Sequence, residues 1–168
     1  MNVVITPPKQ TLKQKAKVKG RSGAGISHEE AIELGDAVLA ERFDEARAEL
    51  ARLVAEVRES AAAAAQPVAD DRDPLLKLVR QIADTGGTFG HHAMTRVGRS
   101  LEGYLMALMG TGSRPDATVV ALHIEALGML LGLDARGALG DGEVQLLDGL
   151  RKVVAKALAQ AGAAPPAG

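Results

Sequence analysis

Residues 75–105 read Leu-Leu-Lys-Leu-Val-Arg-Gln-Ile-Ala-Asp-Thr-Gly-Gly-Thr-Phe-Gly-His-His-Ala-Met-Thr-Arg-Val-Gly-Arg-Ser-Leu-Glu-Gly-Tyr-Leu. In the first half Leu75, Leu78, Val79 and Ile82 recur at spacings of three and four, the period of one helical face. Lys77, Arg80, Gln81 and Asp84 fall on the opposite face. Asp73-Pro74 stands just ahead, a capping residue followed by the one position where a helix welcomes proline. This spacing predicts a helix from Pro74 to about Thr85. A glycine-rich bend, Gly86–Gly90, follows it. A further helix from about His91 to Met109 would bury Ala93, Val97, Leu101, Leu105 and Leu108.

Working outward, the same pattern repeats. Ser27 with Glu30 three residues on forms a capping box. After it Ile32, Leu39, Phe43, Ala46, Leu50, Leu53 and Val57 continue one apolar stripe. A long helix over Glu29–Ala65 is expected, with Gly35-Asp36 its weak point. Beyond Gly110–Pro115, residues Asp116–Leu133 are apolar on most sides, which predicts the most buried helix of the set. Residues Gly137–Gly142 read as a loop. A last helix from about Glu143 to Gln160 would bury Val144, Leu147, Leu150, Val154 and Leu158. Short connections between helices of such length favour antiparallel neighbours. The expected fold is all-α: an up-and-down antiparallel bundle over residues 27–161, with a long N-terminal helix and disordered termini at 1–26 and 162–168.

Composition agrees with helices. The 168 residues include one Tyr, two Phe and no Trp, so the core must come from Leu, Val, Ile, Met and Ala, which suits close helix packing better than a sheet sandwich. No cysteine occurs, so disulfides and thiolate metal sites are excluded. No signal peptide is recognisable, and Val119–Leu133 falls short of the roughly 20 apolar residues of a membrane span. The expectation is a soluble cytoplasmic protein without cofactor or membrane partner. Charge is divided unevenly: residues 1–21 hold Lys9, Lys13, Lys15, Lys17, Lys19 and Arg21 and no acid, so a net charge of −1 for the chain leaves −7 on the rest. The basic arm lacks interleaved aromatics, and the acidic body would repel a polyanion. A solvated tail, or one docking on an acidic surface, is favoured over nucleic acid.

The hairpin 75–105, with its bend Thr85-Gly86-Gly87-Thr88-Phe89-Gly90, resembles the core hairpin of histidine-containing phosphotransfer (Hpt) domains. The resemblance covers residues 74–132. Such domains carry a phosphoacceptor histidine on the first helix, followed by lysine and small residues. The resemblance puts Arg80 at the histidine, Ala83 at the lysine and Asp84 at a glycine. A guanidinium stays protonated and is no nucleophile, so no phosphotransfer is expected at this position. The resemblance implies a degenerate, non-catalytic module of two-component or phosphorelay signalling. Its partner-binding face would comprise Lys77, Arg80, Gln81, Asp84, Thr88, His91 and His92. Partners would be a receiver domain or a sensor histidine kinase, with homodimerisation through the long first helix a further option. The stretch Ala121–Leu127 also resembles accessory proteins of chemotaxis clusters.

Two other readings stand beside this one. An active phosphotransferase could use a relocated histidine, His92 or His91, at a helix start where the dipole welcomes phosphate. A structural or nucleic-acid-binding bundle is the other. His123 shares a face with Val120, Leu127 and Leu130 and reads as a packed histidine. His28, in a Ser-His-Glu string, lacks the further residues of a sensor-kinase phosphorylation box. Arg80 and Asp84, four apart, could pair on the surface.

Overall fold

The computed structural model describes residues 27–63, 67–68, 70, 73–109, 111–133 and 137–163, the side chains of His28 and Ala63 excepted. Every regular element among them is a helix: α1 His28–Ala63, α2 Pro74–Thr88, α3 His92–Leu108, α4 Ala117–Gly132 and α5 Asp141–Ala161. Disordered ends are expected at 1–26 and 162–168; residues 1–26 and 164–168 lie outside the described residues, while Gly162 and Ala163 bond back to the last turn of α5. The chain falls into two units, residues 1–38 and residues 39–168.

Each helix starts for a local reason. At α1 the Ser27 amide donates to Glu30 Oε2 at 2.6 Å, and the Glu30 amide donates to Ser27 Oγ at 3.1 Å, the reciprocal pair of a capping box. The helix runs unbroken through Gly35. At α2 Asp73 Oδ1 accepts from the amides of Leu75 and Leu76, with Pro74 opening the first turn. At α4 Asp116 Oδ1 accepts from Thr118 and Val119, and the Asp116 amide is itself held by Tyr104 Oη at 2.7 Å. At α5 Glu143 reaches back to the Gly140 amide at 2.7 Å.

The glycines at 86–90 are used differently from the expected bend. Gly86 and Gly87 are helical, and α2 continues to Thr88. The chain reverses only at Phe89-Gly90, where Gly90 takes φ +77° and the His91 amide donates back to Gly86 O at 2.8 Å. That is the six-to-one bond of a glycine C-terminal motif. The Gly90 carbonyl also accepts from the Gly137 amide at 3.0 Å, which ties this turn to the loop before α5.

Gly86 serves a close crossing. A Cβ there would lie 3.0 Å from Thr95 Oγ1 and 3.3 Å from the His91 carbonyl. One turn further along, a Cβ on Gly98 would lie 3.1 Å from Ala83 Cβ and 3.3 Å from the Ala83 amide nitrogen. The pairs 86 with 95, 83 with 98 and 80 with 102 keep a near-constant sum, so α2 and α3 run antiparallel at close range. The Thr95 hydroxyl has two acceptors in reach, Ala83 O at 3.1 Å across the crossing and His91 O at 3.3 Å.

The core is aliphatic apart from Tyr104. It gathers Leu50, Leu53 and Val57 of α1, Leu75, Leu76, Val79 and Ile82 of α2, Met94, Val97, Leu101 and Leu105 of α3, Leu127 and Leu130 of α4, and Leu150 and Leu158 of α5. The helix at its centre is α3, which packs on α2, α4 and α5. The expectation that α4 would be most buried is corrected here. Its apolar content exceeds what its neighbours cover, leaving Met129 half exposed and the following Leu133 70 % exposed.

Two glycine substitutions should have opposite effects in urea unfolding. Gly98→Val drives a branched side chain into Ala83 backbone and should cost about 2 kcal/mol. Gly87→Ala meets Thr95 Oγ1 at an ordinary 3.6 Å, removes a helix-interior glycine, and should add about 0.5 kcal/mol. Asp116→Ala, which strips the α4 cap, should cost about 1 kcal/mol.

Candidate functional site

The antiparallel pairing of α2 and α3 brings one set of charges together. Arg80 Nε donates to Glu102 Oε1 at 2.8 Å, and Glu102 Oε2 accepts from Arg99 Nη1 at 2.7 Å. Arg99 Nη2 in turn donates to Asp84 Oδ1 at 2.6 Å. Two cations and two carboxylates thus alternate across the helix pair. The expected Arg80–Asp84 contact is not made; each pairs across to α3 instead. Arg80 Nη2 also lies 3.7 Å from Met106 Sδ, and Met106 is 46 % exposed.

The members differ in exposure. The Glu102 side chain is 12 % exposed and that of Arg80 is 32 %, whereas Arg99 and Asp84 are open to solvent. Burial would push the Glu102 carboxyl up, but hydrogen bonds from Arg99 and Arg80 outweigh it and hold the group below its usual value. The Arg99 guanidinium is pushed up, chiefly by its hydrogen bond to Glu102. The network gives α2 and α3 a fixed, charge-balanced surface with Arg80 at its edge.

Of the residues expected on a partner-binding face, Lys77, Gln81, Asp84, Thr88 and His92 are exposed and Arg80 is half-buried. His91 is corrected: it is only 1 % exposed at the start of α3, closed to a partner's surface. Its backbone takes part in the turn, the amide bonding Gly86 and the carbonyl accepting from Thr95. Ala83, which the resemblance set at a lysine, is 1 % exposed and packed against Gly98. No long side chain fits there. Arg99, Glu102 and Met106 complete the site and were absent from the sequence reading. Only the Arg99–Glu102 spacing of three hinted at them.

A second polar pair joins a buried histidine to a half-buried serine. His123 is fully buried, with Nδ1 2.7 Å from Val119 O and Nε2 3.1 Å from Ser100 Oγ. A carbonyl can only accept, so Nδ1 carries the proton and Nε2 accepts from the serine hydroxyl. Burial pushes the imidazole pKa down from 6.5, against the opposing effect of its backbone bond. With one bond to the Val119 carbonyl and one to Ser100, the imidazole pins α3 to α4. An apolar recess of about 320 Å³ lies between α1 and α4, bordered by Arg58 and Glu125. Among the described residues no group of three or more His, Asp or Glu side chains could hold a metal ion, and no helix is long and apolar enough to cross a membrane.

Comparison with protein-family models, with curated proteins and with solved structures found no match to this chain.

His123 and the half-buried Glu102 each contribute to the acid limb of stability. Unfolded, His123 takes up a proton near pH 6.5; folded, it resists until lower pH. The unfolded chain then binds more protons, so stability is full above pH 6.5 and falls as pH drops below it. Glu102 adds a second decline, which starts below its ordinary value of 4.5 and is complete only under its depressed folded pKa. Urea midpoints measured across this range should show both, and His123→Gln should flatten the part of the limb that begins below pH 6.5.

Proposed function

We propose that this chain is a non-catalytic, Hpt-like docking module of two-component signalling, binding a receiver domain through the exposed face of α2 and α3. The observation that supports it most is Arg80. It stands at the position where the resembled domains carry their phosphoacceptor, on an antiparallel hairpin, and Glu102 anchors its Nε. Most of the guanidinium's N–H groups stay available, a donor fork suited to a carboxylate-rich pocket. Receiver domains present such a pocket to a phosphohistidine; a fixed cation can occupy it without reacting. The antiparallel contacts of α2 with α3, and of α3 with α4 through His123 and Tyr104, agree with an up-and-down Hpt-like bundle.

The packing of Ala83 on Gly98 bears on the chemistry as well. A lysine to offset phosphate charge cannot be restored at position 83, and Asp84 adds a like charge beside any phosphate. Both features favour binding over transfer. A sensor histidine kinase is the second partner class for the same face. Chemotaxis is the setting that the Ala121–Leu127 stretch suggests.

The test is direct binding to purified receiver domains from the source cell, chosen by pull-down and then titrated singly. Arg80→Gln keeps Glu102 paired with Arg99 and so spares the fold; it should weaken receiver binding about tenfold, the loss of one charge-assisted contact. Unchanged affinity would remove Arg80 from the interface. Acid-labile label passing from a phosphorylated receiver to this chain would overturn the non-catalytic reading.

A further inference from the structure

Among the described residues nothing covers the apolar side chains in the first three turns of α1. Ile32, Leu34 and Val38 are 50 %, 59 % and 48 % exposed. Between them stand Glu29, Glu30, Glu33 and Asp36, and residues 27–38 contain no lysine or arginine. At about 100° per residue the four acids form one stripe, flanked on one side by Ile32 and on the other by Leu34 and Val38. Glu29 and Glu30 have a local use, since acids suit a first turn and Glu30 closes the capping box. Glu33 and Asp36 lie beyond that turn. Like charges at spacings of three and four repel, and Gly35 and the β-branched Ile32 and Val38 are weak helix formers. Such a segment calls for cations and apolar cover.

We propose that this face is the docking site of the chain's own residues 1–21. That segment holds six cations and no acid, interspersed with Val3, Val4, Ile5, Leu12 and Val18. Lys13, Lys15, Lys17 and Lys19 alternate, so an extended backbone would set them in one row. The intervening Ser22–Ile26 contains Gly23 and Gly25, residues that let a chain reverse. Reach is ample, because 21 extended residues cover about 70 Å and eleven helical ones about 16 Å. Covalent attachment presents the cations at an effective concentration of order millimolar. Weak surface pairs then suffice, and a second copy at micromolar concentration competes poorly.

The experiment is amide hydrogen exchange of residues 29–38 in the full-length chain, compared with a full-length variant carrying Lys13→Glu, Lys15→Glu, Lys17→Glu and Lys19→Glu. Exchange should be about fivefold faster in the variant, as expected for losing several exposed pairs. Salt of about 1 M should bring the native chain to the variant's rate. Adding Glu33→Lys and Asp36→Lys to the variant should restore slow exchange by reversing both sets of charges. Equal rates in native chain and variant would overturn the proposal. So would protection that grows with protein concentration, which would assign the cover to a second copy.

Discussion

At Ala83 and Gly98, and again at Gly86 and Thr95, the backbones of α2 and α3 meet with almost nothing between them. A helix pair normally keeps its axes 8–10 Å apart, the distance set by the side chains at the contact. Small residues draw the two together, and the Thr95 hydroxyl bonds the Ala83 carbonyl across the seam. Everything on the adjoining surface takes its place from that approach. Arg80 reaches Glu102, and Asp84 reaches Arg99, because the crossing brings α3 within one side-chain length. The same contact sets α3 in the middle of the body, where it presents Ser100 and Tyr104 to α4.

The geometry separates two kinds of polar group by depth. On the surface, alternating charges satisfy one another while keeping access to water. Inside, the imidazole of His123 is neutral and both its nitrogens are bonded. A buried charge would need a partner, whereas a neutral imidazole needs only a donor and an acceptor. Ser100 and the Val119 carbonyl supply them. Among the described residues the fully buried positions thus carry no charge, and the ionic contacts lie nearer the surface.

What could be read from the sequence is what is decided locally. Ser27 with Glu30, Asp73-Pro74 and the apolar spacing of 75–82 and 93–108 announce helices, because caps and amphipathic period act within a few residues. The roles of Gly86 and Gly87 could not be read so. A glycine pair before Phe89-Gly90 looks like a bend, but the neighbour that requires Gly86 is Thr95, known only once the helices are paired. For the same reason the resemblance sets Ala83 at a lysine, where no long side chain fits, and His91 reads as part of an open face. Arg80 was visible as a cation on a polar face; its partner lies 22 residues away on another helix. The apolar character of α4 was plain, but how much of it the neighbours would cover was not.

Glu102 serves two guanidinium groups at once. Should Arg80 swing outward to meet an incoming acidic group, the carboxylate would still be neutralised by Arg99 and would not be stranded with uncompensated charge. The arrangement holds a spare counterion in place, so the molecule can lend one cation without weakening the seam beneath it.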